Sequence, residues 1–554
     1  MSFKTDLQKY TPRKEQRECI EFISDKFENN PIVKYFLLNL PTGVGKSHLA
    51  MMICDLYKRN INKSAKIDII TNSKVLQDQY ANTYSSINNL KGKSNYKCKS
   101  YDCSCEQGME FNKLNKSSCE ECPYTGSRDM YIKGNISLTN FHLFILNSMY
   151  NKLVESRNPN ILIVDEAHEF DDVMSDFISI KITESIVKRF KFSKEKTIIA
   201  ELKSINNIEE YIEFIKGFLV NVTNEISLRE RSMKTSKHDM LQINRSLKLN
   251  KLTKKGENKE VKEMTLINDL KQYQIKMEVF LKEYKIDPNN WVLEVSYSGK
   301  TRTKELSLEP IWSYKYLHTY IFSKYDKVFF MSGTILDREL FSYLNGLDVD
   351  KTCYYSIDSP FPVSNRPIYY MPIGKMSYAA KEQTFKNYVP IIEKILKKYK
   401  NKKGIIHTNS FELANWIKES VNDPRLIFPD SSNKDMMLKL HFESDEPTVL
   451  ISPSLSTGIS FDNDHARFQV IAKVPYPSLA SQKNKNRQKI NPDWYSWRTI
   501  CELMQSYGRI IRSETDYGDT IILDESFGDV MRYSSKFFPM WYQNAIQHKR
   551  IKVN

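Results

Sequence analysis

Four sets of residues have types and spacings that could do chemistry. The first is Pro41-Thr42-Gly43-Val44-Gly45-Lys46-Ser47. Two glycines, a lysine and a hydroxyl at the junction of a strand and a helix aim backbone N–H groups, a helix N-terminus and an ammonium at one point, which is a cradle for phosphate. Leu40 stands where the full G-x-x-x-x-G-K-[ST] pattern has its first glycine, so the match is to the second half of the pattern. The second set is Asp165-Glu166, which closes the apolar run Ile161-Leu162-Ile163-Val164. Phosphate-ester hydrolysis needs one carboxylate, Asp165, to hold Mg²⁺ against the phosphates, and another, Glu166, to orient and deprotonate the attacking water. The third is Gln505-Ser506-Tyr507-Gly508-Arg509-Ile510-Ile511-Arg512. The three-residue spacing of Arg509 and Arg512 predicts that both project from one helical face toward a phosphate held by another domain, with Gly508 allowing close approach. Gln505 would then face the hydrolytic water or the domain interface. The fourth is a cysteine group, Cys98, Cys103, Cys105, Cys119 and Cys122, five of the chain's nine cysteines within 25 residues.

These residues need elements to position them. Tyr35-Phe36-Leu37-Leu38 reads as a buried strand feeding the phosphate loop, and Lys46-Ser47 opens a helix. Upstream, Arg13 and Gln16 fall on one face of the first turn of an amphipathic helix running through Cys19, Ile20, Phe22, Ile23 and Phe27. Strands at Lys66–Asn72, Asn135–Asn140 and Ile161–Val164 alternate with helical stretches, which implies a parallel sheet with helices on both faces and Asp165-Glu166 at a carboxyl end. Between Lys91 and Cys122 neither period persists, so this insertion needs a staple. From 176 to 303 the chain reads mainly helical, with eleven Lys/Arg and six Asp/Glu between Glu225 and Met264. A strand returns at Lys327–Met331 before Ser332-Gly333-Thr334. A second α/β unit follows, with strands at 403–410, 448–453, 468–474 and Asp519–Asp524 and a helix from about Trp497 that carries Gln505 to Arg512.

Composition narrows the class. The 554 residues are 40% hydrophobic, enough for packed cores, and 82 Lys+Arg against 67 Asp+Glu give a net charge of +15, which favours a polyanionic partner such as nucleic acid. The N-terminal Met1-Ser2-Phe3-Lys4 lacks the apolar core of a signal peptide, and no segment approaches a membrane span. The expectation is an intracellular protein, cytoplasmic or, in a eukaryote, nuclear, whose cysteines are thiols or metal ligands.

Arg13-x-x-Gln16, Leu40 to Ser47, Asp165-Glu166-Ala167-His168, Ser332-Gly333-Thr334 and Gln505-x-x-Gly508-Arg509-x-x-Arg512 occur in the order found in superfamily 2 helicases. More narrowly, Lys91-Gly92-Lys93-Ser94-Asn95-Tyr96-Lys97-Cys98, Cys122-Pro123-Tyr124, Ser359-Pro360-Phe361-Pro362 and Lys473-Val474-Pro475-Tyr476-Pro477 resemble the XPD/DinG family. The resemblance implies two RecA-like P-loop motor domains with an iron–sulfur domain and a helical Arch domain inserted in the first. It places motor domain 1 at 1–92, 126–175 and 304–347, the cluster at 93–125, the Arch at 176–303 and motor domain 2 at 348–554. It implies an ATP-dependent DNA helicase acting as a monomer on single-stranded and forked DNA, with 5′-to-3′ polarity, in the setting of DNA repair or replication. Gln16 would read the adenine edge, with Arg13, Thr42, Gly43, Gly45, Lys46, Ser47 and Asp165 completing the ATP and Mg²⁺ site. Arg509 and Arg512 would sense the γ-phosphate. Cys98 and Cys122 match the family's first and last cluster ligands, Cys119 is the natural third, and the second is Cys105 or Cys103, of which Cys105 is taken. Thiolate-only ligation suits a 4Fe-4S cluster, with zinc the alternative. One departure is Thr457-Gly458-Ile459-Ser460 where the family carries acids, which leaves Asp462 or Asp464 to take their place. The other readings are an RNA or hybrid helicase, a translocase that remodels nucleoprotein, and a nucleic-acid-binding scaffold without catalysis.

Overall fold

The computed structural model describes residues 10–100, 103–109, 121–150, 153–247, 254–298, 303–430, 432–453 and 460–547, with backbone alone over 234–247, 254–261, 298 and 452. Strand β1 (Tyr35–Asn39) is followed by β2 (Ile67–Thr71), β3 (Ile87–Asn89), β4 (Ile136–Asn140) and β5 (Ile161–Asp165). An antiparallel trio comes next, β6 (Ile180–Ile182), β7 (Trp291–Ser298) and β8 (Thr303–Pro310), before the chain returns through β9 (Lys327–Ser332) and β10 (Thr352–Ser356). The first large sheet has the order β10-β1-β9-β5-β2-β4-β3, and every pairing in it is parallel. β1 and β5 are buried along their whole length, as strands covered on both faces are. Along β1, Tyr35 and Leu37 enter one core while Phe36 and Leu38 enter the other.

Two expected boundaries move. Thr352–Ser356 pairs with Tyr35–Asn39 at the edge of the first sheet, so that sheet runs past 347 and the crossing to the second falls between Ser356 and Ile368. The inserted block is not wholly helical, and it does not end at 303. Its long helices, Ile208–Leu247 and Lys254–Ile286, stand on the sheet β6-β8-β7, and β8 carries the block to Pro310 because Leu306 and Leu308 alternate into the shared core.

The second large sheet is built from β11 (Ile368–Gly374), β12 (Gly404–His407), β13 (Leu426–Ile427), β14 (Val449–Ser452), β15 (Phe468–Ile471), β16 (Asp519–Asp524) and β17 (Ile546–Gln547). Its order is β13-β14-β12-β15-β16-β11-β17, again all parallel. Two helices of this half, Gln482–Ile490 and Pro492–Tyr507, dock on the first. Trp497 Nε1 donates to the Ile335 carbonyl at 3.0 Å, and Arg487 Nε to the Ile311 carbonyl at 2.5 Å. In each sheet the carboxyl ends of the strands open on loops, which is where ligands bind in open α/β sheets. Among the described residues no helix is long and apolar enough to cross a membrane.

Candidate active site

A cavity of about 560 Å³ lies between the two sheets. Thr42, Gly43, Gly45, Lys46, Ser47, Asp165 and Glu166 line it from the first half, and Gln505, Arg509 and Arg512 from the second. The loop after β1 takes its shape from two glycines in the left-handed region, Gly43 at φ +90° and Gly45 at φ +81°. A Cβ on Gly43 would stand 2.0 Å from the Phe361 ring, so this loop and the Ser359-to-Pro362 segment pack with no room between them.

Arg13 and Gln16 are not in the cavity wall. They hold the loop from behind: an Arg13 guanidinium N–H donates to the Gly43 carbonyl and Gln16 Nε2 to the Val44 carbonyl at 2.8 Å, while Gln16 Oε1 accepts from the Arg13 N–H at 2.9 Å. Gln16 is fully buried, and in this structure both ends of its amide are engaged by protein backbone.

Lys46 Nζ lies 2.5 Å from Glu166 Oε1, so the two groups expected to handle phosphate and water are paired with each other. Glu166 Oε2 is buried with no hydrogen-bond partner, and the residue itself is in the left-handed region at φ 57°. A non-glycine held there is a strained backbone of the kind that collects at functional sites. Burial works against the Glu166 charge, but Lys46, His168 and Arg512 together outweigh it and the carboxyl is held below its ordinary range. Burial raises the Asp165 carboxyl, with Lys46 opposing. Asp165 Oδ1 accepts from the Glu166 N–H at 3.0 Å and Oδ2 from the Tyr80 hydroxyl at 2.9 Å. The Ser47 and Asp165 side chains line the same part of the cavity. One hydroxyl and one carboxylate beside a phosphate cradle are hard oxygen donors of the type that suits Mg²⁺.

Across the cleft the structure corrects one expectation. The helix ends at Tyr507, Gly508 caps it, and Arg509 and Arg512 lie in the turn beyond rather than on a helical face. They still reach the cavity, because Gly508 lets the turn approach the phosphate loop: a Cβ there would stand 2.9 Å from Thr42 Oγ1. Burial and the neighbouring Arg512 push the Arg509 guanidinium down to about 10. Arg512 Nε donates to Ser460 Oγ at 2.8 Å. Thr457, Gly458 and Ile459 lie outside the described residues. Of the two nearby acids, Asp464 is engaged by Arg467 at 2.9 Å.

Gln505 Nε2 donates to Thr334 Oγ1 at 3.2 Å. Thr334 Oγ1 lies 3.2 Å from Ser332 Oγ, which is 2.8 Å from His168 Nδ1. These contacts give Ser332 and Thr334 a bridging place that their short motif did not disclose, and burial pushes the His168 imidazole down to about 4. Tyr80 was also not anticipated. The available signal is its position one turn after Leu76 and Gln77, on the side of the helix Lys74–Thr83 that faces the sheet.

The cysteines lie apart from this cavity. Cys98 N–H donates to the Cys103 carbonyl and Cys105 N–H to the Tyr96 carbonyl, so 96–98 runs beside 103–105. Cys98, Cys105 and Cys122 are buried in one small core with Leu90, Tyr124 and Tyr131, and Cys103 borders it half-buried. The Cys105 and Cys122 sulfurs are 4.0 Å apart. Cys119 lies outside the described residues, and among the described ones no group of three His, Cys, Asp or Glu is set to hold a metal ion.

Residues 392–545 match the Helicase C-terminal domain family, and residues 9–200 the family described as Type III restriction enzyme, res subunit. The chain is 24% identical over 481 residues to the ATP-dependent DNA helicase CHL1 of Vanderwaltozyma polyspora, covering 74% of this chain and 57% of that protein. It is 22% identical over 598 residues to the probable ATP-dependent helicase MJ0942 of Methanocaldococcus jannaschii, covering 89% of each. The chain thus spans little more than half the length of the first of these relatives. A solved XPD helicase structure has the same fold, with a TM-score of 0.61 at 16% identity over 96% of this chain and 98% of that one.

Proposed function

We propose that this chain, a member of the XPD/CHL1-like family of ATP-dependent helicases, hydrolyses ATP between its two sheets in order to move 5′-to-3′ along single-stranded DNA and open a fork. The observation that carries the reading is that one cavity collects Lys46, Asp165 and Glu166 from one half and Gln505, Arg509 and Arg512 from the other. A site split in this way is complete only when the halves approach, so each round of binding and hydrolysis closes and opens the cleft. Such a cycle can ratchet a strand gripped by both halves.

In this reading the backbone N–H groups of Gly43 and Gly45 and the Lys46 ammonium bind the β- and γ-phosphates. Ser47 and Asp165 would hold Mg²⁺, which neutralises charge on those phosphates. Glu166 accepts the proton of the attacking water as its oxygen bonds to the γ-phosphorus and the bond to the bridging oxygen breaks. Arg509 and Arg512 stabilise the charge on the transferring group. The net charge of +15 supports a polyanionic track whose grip weakens with salt.

The burial of Cys98, Cys105 and Cys122 in one core supports them, with Cys119, as thiolate ligands of a 4Fe-4S cluster that staples the insertion. Stoichiometric zinc without iron in anaerobically purified protein would count against that assignment. The decisive experiment is strand displacement on partial duplexes with 5′ or 3′ single-stranded overhangs, in DNA and in RNA. ATP-dependent displacement confined to the 5′-tailed DNA is expected. Equal displacement of RNA, or hydrolysis that DNA does not stimulate, overturns the reading.

A further inference from the structure

We propose that Tyr80 is a positioning residue for hydrolysis, whose phenol fixes the Asp165 carboxylate in the orientation a divalent cation requires. This rests on the ATP reading above. Tyr80 is fully buried, and its hydroxyl donates to Asp165 Oδ2 at 2.9 Å. With the Glu166 N–H on Oδ1, the phenol completes a two-point grip on the carboxylate. Each carboxylate oxygen keeps a second lone pair for a ligand. Without the phenol, the broad terminal torsion of the aspartate is held at one oxygen only.

The helix that carries Tyr80 is itself tied down. Ser73 caps it by accepting from the Leu76 N–H, and Gln77 Nε2 donates to the Leu90 carbonyl at 2.8 Å and to Asn89 Oδ1 at 2.6 Å. Asn140 Nδ2 donates to Gln77 Oε1, and Asn72 Nδ2 to Glu169 Oε2 at 2.7 Å. The loops at the carboxyl ends of β2, β3 and β4 therefore set where the phenol stands. One turn on, Tyr84 meets His48 Nδ1 through its hydroxyl at 3.1 Å, on the same helix face but away from Asp165.

Partners that orient a metal ligand are commonly worth about 10–100-fold in metal affinity. The test is a Mn²⁺ titration followed by electron paramagnetic resonance, on the full chain with a non-hydrolysable ATP analogue. Wild type, Tyr80→Phe and Tyr84→Phe are compared, each with a thermal melt. Tyr80→Phe should raise the half-saturating Mn²⁺ concentration at least about tenfold, and Tyr84→Phe should leave it unchanged. A Tyr80→Phe chain with wild-type Mn²⁺ affinity overturns the assignment, whether or not it melts early, because the phenol would then serve packing alone. If wild type takes up neither Mn²⁺ nor the analogue, the ATP reading fails first, and the two failures are told apart.

Discussion

Replacing Glu166 by Gln removes one charge and keeps the shape of the side chain. Lys46 Nζ is 2.5 Å from Glu166 Oε1, and the two side chains are 18% and 21% exposed. To grip a phosphate, Lys46 must leave that partner, so the ion pair competes with nucleotide. A part-buried pair of this kind is worth about 1 kcal/mol, and releasing it should tighten ATP binding about fivefold. Hydrolysis moves the other way. Loss of the general base should lower the DNA-stimulated rate by about 10²–10⁴-fold, since the amide cannot take the proton from water. The two effects separate in two assays: equilibrium binding of a fluorescent ATP analogue, and phosphate release with single-stranded DNA at saturating ATP. A variant that binds equally or more tightly and does not turn over fits the reasoning. A Glu166→Gln chain with a normal stimulated rate removes Glu166 from the general-base role, and binding weaker than wild type refutes the competition with Lys46.

Arg509→Ala and Arg512→Ala should each leave analogue binding within a few-fold of wild type, and each should lower the hydrolysis rate steeply, toward the 10³-fold that such arginines supply elsewhere. Equal losses in KM and none in kcat would show ground-state binding only. His407 and His441 are buried beside cations, Arg509 near the first and Lys403 near the second, and burial pushes each imidazole down to about 4. The unfolded chain binds protons at about 6.5 where the folded one does not, so this contribution is complete above about pH 6.5 and is lost as pH falls toward 4. Each histidine gives at most about 3 kcal/mol, from 1.36 kcal/mol per unit. Urea midpoints should fall across that window, and fall less in His407→Asn; an identical slope in the variant counts against the buried-imidazole account.

What could be read from the sequence, and what could not, follows from whether a signal is local. Tyr35–Asn39 and Ile161–Asp165 are legible because a strand covered on both faces must be apolar at every position, and each ends in residues with chemistry. Thr352–Ser356 is just as plainly a strand. Nothing inside it says that it pairs with Tyr35–Asn39 rather than with the sheet that follows, because this parallel partner lies more than 300 residues upstream, Tyr35 opposite Thr352. In β8, Leu306 and Leu308 alternate with Glu305, Ser307 and Glu309, a short period-2 signal next to long helices. The helix stop at Tyr507 was masked by Ile510 and Ile511, whose spacing continues an apolar stripe. Gly508 is both the cap that ends the helix and the gap that admits Thr42.

The least legible part of the site is the link between its halves. His168, Ser332, Thr334 and Gln505 form a continuous path of side-chain contacts between 2.8 and 3.2 Å from the residue two places after Glu166 to the helix of the second half. Trp497 and Cys501 of that helix bond the carbonyls of Ile335 and Thr334 on either flank. Beside it, Arg498 and Arg487 reach Asp172 and Asp171, in the helix that directly follows Asp165 to His168. The Arg487–Asp171 pair, 2% and 16% exposed, is costly to break one partner at a time, on the order of 3–5 kcal/mol, and the more exposed Arg498–Asp172 pair, 21% and 39%, adds about 1 kcal/mol or less. Relative motion of the halves therefore cannot slide freely over this seam. It must either pivot about the seam or exchange these bonds together, and in both cases the Glu166 side of the cavity registers where the second half stands.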